Sequence, residues 1–187
     1  MRLSVSLFLL LTQNLVWTRL LGLSGASALM RSNKAMLPSA VFVMILCPPA
    51  CVFMTLFSRL VPDPVWTPAV SLLAVMLTAA AVDGLIRLTL KRHTARLEPY
   101  LLPGACSAAV FCAVQYTEAV YPSVRAAFSA GFSAGIEFFF AACMLQVLAP
   151  LICSEQTPMP FRGWRGMYLC AGLLSMAALC IRTSVPA

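Results

Sequence analysis

The charged residues of this sequence are gathered into short clusters, with long apolar runs between them. No charge falls between Lys34 and Arg59, or between Arg165 and Arg182, and only Glu137 interrupts the stretch from Arg125 to Glu155. A helix needs about 20 such residues to cross the hydrocarbon of a bilayer. Once in lipid, its backbone must satisfy its own hydrogen bonds, which a helix does. Composition agrees: 61% of residues are hydrophobic and 10% charged, with a mean hydropathy of +0.90. An ordinary soluble domain is about 45–50% apolar and about 25% charged. A disordered tail, a nucleic-acid-binding module and a water-soluble enzyme are thereby excluded, because too few charges remain to solvate a surface.

The runs predict an all-α, polytopic membrane protein of six transmembrane helices in one domain spanning residues 1–187. The expected spans are Ser4–Leu23, Ala35–Phe57, Pro68–Leu90, Tyr100–Val120, Ala126–Leu148 and Gly166–Ile181. Val61-Pro-Asp-Pro-Val65 is a turn that no helix continues through. Pro158 and Pro160 make the segment Cys153–Gly163 an extended surface loop.

Basic residues orient such a chain, because cytoplasmic loops are enriched in Lys and Arg. With both termini outside, the inner loops hold Arg31, Lys34, Arg87, Lys91, Arg92, Arg96, Arg162 and Arg165. The outer side then holds only Arg2, Arg59, Arg125 and Arg182. The first segment, with Arg2, Leu7–Leu11 and Gly25-Ala-Ser-Ala28, also has features of a cleavable signal peptide. Gln13, Asn14 and Arg19 interrupt its apolar core and argue for a retained span. An odd number of spans per half means that residues 1–95 and 96–187 would enter the membrane with opposite polarity. That is the inverted-repeat arrangement, in which sites form at the midplane between broken helices.

Ionisable groups inside a membrane cost about 2.5–3.5 kcal/mol on insertion scales, so each needs an explanation. Asn14 and Arg19 fall in the first span, Asp83 in the third with Arg87 one turn later, and Glu137 at the centre of the fifth. One reading is a proton or cation path through the bundle. The other has Arg19 and Arg87 extending to the inner interface, with Glu137 protonated or paired with a neighbouring subunit. Gly131-x-x-x-Gly135 allows two helices to approach closely, within the chain or between subunits.

No catalytic constellation stands out. His93 is the only histidine and lies in the basic segment Lys91–Arg96, and there is no phosphate-binding glycine loop. The eight cysteines include no CxxC and most lie in apolar runs, where a thiol serves as a small hydrophobe. Cys47 and Cys51 have helical i,i+4 spacing, but Pro48 and Pro49 between them are expected to distort any face they share.

Several segments carry a resemblance. Gln13-Asn-Leu-Val-Trp-Thr-Arg-Leu-Leu-Gly-Leu23 resembles the first span of the membrane subunits of Rnf and Nqr complexes, which reads Asn-Asn…Leu-Gly-Leu-Cys-Pro. Pro158-Met-Pro-Phe-Arg-Gly163 and Ala171-Gly-Leu-Leu-Ser-Met176 resemble the stretch before and within their last span. Gly131-Phe-Ser-Ala134 fits the start of the fifth span, and Asp83 falls near a Glu of the third. The order is nearly co-linear over the whole chain and closest to the RnfA/NqrE branch.

The resemblance implies six spans in two inverted three-helix halves with both termini outside, in the inner membrane of a bacterium. It implies pairing with a homologous subunit of opposite topology, within a complex that couples electron transfer to Na⁺ or H⁺ transport. In that family the pair holds a [2Fe–2S] cluster on two cysteines from each subunit.

This chain departs from the pattern at those ligands. Leu21-Gly-Leu-Ser-Gly25 places Ser24 at the first position, and Ala109 falls at the second. A serine hydroxyl keeps its proton and alanine has no donor, whereas such clusters are held by thiolates. Cys106 and Cys112 flank Ala109 by three residues as fallback ligands, and Ala149-Pro150 replaces the Arg-Glu pair that ends the family's fifth span. The expectation is a divergent, non-catalytic subunit of an electron-transfer-driven ion pump that does not itself hold the cluster. The alternatives are a stand-alone small permease coupling through Asp83 and Glu137, and a membrane assembly or scaffold protein.

Overall fold

The structure is a computed structural model that describes residues 36–60, 64–89, 104, 107–120, 123–152, 158–161 and 163–184. The first expected span, with Asn14 and Arg19, the following Ser24, and the fallback ligand Cys106 lie outside the described residues. Five α-helices are present among the described residues: α1 (Met36–Leu60), α2 (Thr67–Thr89), α3 (Ala108–Val120), α4 (Val124–Ile152) and α5 (Trp164–Ser184). Short 3₁₀ turns, Pro64–Trp66 and Met159–Phe161, precede α2 and α5.

Three stretches are long and apolar enough to cross a membrane: Leu37–Leu60, Thr67–Leu88 and Val124–Ile152. At 1.5 Å per residue the shortest of them reaches about 33 Å, against a hydrocarbon core of about 30 Å. They match the expected second, third and fifth spans. The expected fourth is described as helix α3 from Ala108 onward, and the expected sixth lies in α5, whose apolar stretch Arg165–Cys180 is shorter. The multi-pass membrane reading therefore rests on three described spans, not six.

Helix starts follow local chemistry. Ser107 caps α3, where its Oγ accepts the Ala109 N–H at 3.3 Å. Ser123 does the same for α4, accepting the Ala126 N–H at 3.3 Å. Before α5, the Phe161 N–H donates to the Pro158 carbonyl at 2.9 Å, and Gly163 takes the left-handed φ of 80° that glycine tolerates best. α4 runs past its expected end at Leu148, through Pro150 to Ile152, because a proline so near the terminus forfeits only one late hydrogen bond.

Buried hydroxyls are satisfied by their own helices. Thr78 Oγ1 donates to the Ala74 and Val75 carbonyls at 2.9 and 2.8 Å, Thr55 to Val52 at 2.8 Å and Ser71 to Pro68 at 2.8 Å. The core centres on α1, which packs chiefly on α4 and also on α2 and α3. α3 bridges α2 and α4, while α5 lies against α4 and the Met159–Phe161 turn.

Candidate functional site

Among the described residues, α1 and α4 cross in close backbone contact. A Cβ placed on Gly131 would stand 2.8 Å from both the Cys47 carbonyl oxygen and the Pro48 Cα, and 3.0 Å from the Cys51 Sγ. On Gly135 it would stand 2.9 Å from the Met44 Cα and 3.1 Å from the Met44 carbonyl oxygen. Advancing from Gly131 to Gly135 moves the contact back from Pro48 to Met44, so the helices run antiparallel. Ala127, Phe138, Ala141, Leu145 and Ala149 continue the buried face of α4 at three- and four-residue intervals. The glycine pair noted in the sequence thus serves packing within this chain.

The position of the contact follows from Pro48 and Pro49. Each proline lacks an N–H, so the Met44 and Ile45 carbonyls lose their usual helical donors. α4 brings backbone to the first of them, and the second Cα hydrogen of Gly135 occupies the place a Cβ would take. Weak Cα–H···O contacts of this kind recur at helix–helix interfaces and contribute about 0.5–1 kcal/mol each. Within lipid, close packing rather than hydrophobic transfer holds helices together. α1 runs through both prolines, as the expected second span did, and Cys47 and Cys51, whose shared face the prolines were expected to distort, are fully buried together on the face that meets α4.

The described intramembrane charges, Asp83, Arg87 and Glu137, do not converge on this crossing. Asp83 Oδ2 accepts a hydrogen bond from Arg87 Nε at 2.8 Å, an i,i+4 ion pair near the C-terminal end of α2 with both side chains partly exposed. Glu137 is half-buried midway along α4. It lies two residues beyond Gly135 and so about 200° around the helix from it. α2 reaches α4 mainly through α1 and α3, so the described packing gives Asp83 the partner Arg87 and does not assemble an Asp83–Glu137 pair.

At the expected ligand position, Ala109 is buried in the first turn of α3 within the apolar core, and Cys112 is half-buried one turn later. Among the described residues, no group of three or more His, Cys, Asp or Glu is placed to hold a metal ion. The described cysteines are instead spread over α1, α3, α4 and α5. Of the two positions compared with the family's ligands, only Ala109 is described, and alanine has no donor. Sequence reasoning missed the buried Cys47–Cys51 face, although their i,i+4 spacing was the signal that could have found it. No protein-family model matches the chain, and no curated protein matches it.

Proposed function

We propose that this chain is a divergent membrane subunit of an ion-translocating electron-transfer complex of the Rnf/Nqr type. It packs beside a homologous subunit of opposite topology and does not itself hold the family's [2Fe–2S] cluster. The observation that carries this reading is the co-linear order of Gln13–Leu23, Gly131–Ala134, Pro158–Gly163 and Ala171–Met176. Two structural features support it. α1 and α4, the middle helices of the two proposed halves, run antiparallel, as inverted halves require. The resembling Pro158–Gly163 segment forms the turn that starts the last helix. In this role the chain contributes a packed scaffold and the partner interface, and the electrons travel through other subunits.

The test is purification of the chain with its bound partners in mild detergent, followed by iron analysis and EPR of the reduced complex. Flavin- or iron–sulfur-bearing membrane partners are expected, with no cluster signal that depends on this chain. A stoichiometric [2Fe–2S] signal lost on Cys106→Ala or Cys112→Ala would overturn the cluster-free part. Transport by the isolated chain in liposomes, abolished by Glu137→Gln, would overturn the subunit assignment in favour of a permease. As a positive control, Ser24→Cys with Ala109→Cys should raise iron content in the paired complex, whereas either substitution alone should not.

A further inference from the structure

Where α4 ends and α5 begins, an apolar groove of about 490 Å³ lies between them. Leu148, Leu151 and Ile152 contribute from α4, Leu169 and Cys170 from α5, and Phe161 from the connecting turn. Gly166 holds these parts together: a Cβ there would collide with the Phe161 carbonyl oxygen and the Ile152 side chain. The volume falls in the range of ligand-sized pockets, about 300–1,000 Å³, and the lining offers almost nothing polar to a guest.

The charge lies at one end of the groove. Arg165 is exposed and stands one helical turn before Leu169, so it shares the side of α5 that forms the groove wall. The N-terminus of α5 adds the partial positive charge of its first amides. The excess of Lys and Arg in alternate loops assigns this end to the cytoplasmic face, whose leaflet carries anionic lipid. An apolar channel with a cationic end matches an amphiphile with a long hydrocarbon tail and an anionic head. An anionic head would gain a charge-assisted hydrogen bond from the arginine, stronger than the one a neutral quinone carbonyl would accept.

We infer that this groove holds an acyl chain of an anionic phospholipid of the cytoplasmic leaflet, with Arg165 meeting the headgroup phosphate. The inference rests on the membrane reading and its orientation, and is independent of which complex the chain joins. The test equilibrates the detergent-purified full chain with mixed phosphatidylglycerol and phosphatidylcholine, then counts retained lipids by native mass spectrometry. Phosphatidylglycerol should be retained in preference, and Arg165→Gln should lower that preference by about fivefold, the effect of one basic residue near an anionic surface.

Leu169→Trp should displace the lipid by filling the groove from α5, and Leu148→Trp should do so from α4. Circular dichroism and gel filtration identify which of the two variants is folded. Equal retention of both lipids by the unmodified chain would overturn the inference. So would undiminished retention by a folded groove-filling variant, or retention of an isoprenoid quinone in place of phospholipid. Co-purifying subunits are scored separately, so a failure here leaves the proposed assembly role standing or falling on its own evidence.

Discussion

The same succession, a long helix, a short 3₁₀ turn and a second helix, occurs twice in this molecule. It runs first as α1, Pro64–Trp66 and α2, and again as α4, Met159–Phe161 and α5. The two copies bring opposite residue types to the place where they meet. α1 supplies two prolines and bulky buried side chains such as Leu46 and Met54, whereas α4 supplies Gly131, Gly135 and a run of alanines. Burial is unequal as well: 56% of the α1 span is enclosed, against 39% for α4 and 22% for α2. The difference teaches that α1 is the core of the bundle, and that the smooth face of α4 exists to fit a helix whose hydrogen-bond ladder is broken.

The comparison can be broken most severely at the crossing. Gly135→Val or Gly131→Val would drive a branched side chain into the α1 backbone, and backbone cannot yield as a flexible side chain does. Each should cost more than about 3 kcal/mol, seen as loss of a monodisperse peak in detergent or a sharply lowered thermal midpoint. A smaller, more local effect is expected at the turn of the second copy. Gly166→Ala should cost about 2–3 kcal/mol and speed proteolysis between α4 and α5, leaving the α1–α4 contact intact.

Removing the ion pair of the first copy matters less. Asp83→Asn should lower stability by under about 1 kcal/mol, because the pair is partly exposed and near a helix end. The mildest change is Gly84→Ala, where a Cβ would meet no atom within 4 Å. It should leave stability unchanged or raise it by up to about 1 kcal/mol through helix propensity. A large loss at Gly84 would mean that α2 packs against something as closely as α4 packs against α1.

Much of this architecture was legible in the residues. Long apolar runs, with few charges inside them, placed α1, α2 and α4 within a few residues, because lipid imposes a length on any span and makes charge in its middle costly. The ends were less legible: α1 continues to Leu60 and α4 to Ile152, since nothing in the local sequence stops a helix before its next turn. The glycine pair announced a close contact but not its partner, which depends on where Pro48 and Pro49 leave carbonyls open on a distant segment. The same prolines misled the reading of Cys47 and Cys51. A rule for helices in water makes consecutive prolines distort a face, whereas neighbouring helices in a membrane can re-satisfy the freed groups. Ala109 was read only as a residue without donor capacity at a family ligand position, and its place in the buried core was not foreseen.

The two prolines of α1 have a consequence for how the chain is made. A lone α1 entering lipid would carry the Met44 and Ile45 carbonyls without their helical donors, and α4 reaches the first of them only later. At about 5–20 residues per second, the ribosome needs roughly ten seconds to travel from Pro48 to Gly135. During that interval those carbonyls depend on the translocon, a chaperone or a companion subunit, although α1 is the most apolar of the three spans. The helix that ends as the centre of the bundle begins with two acceptors still unmet.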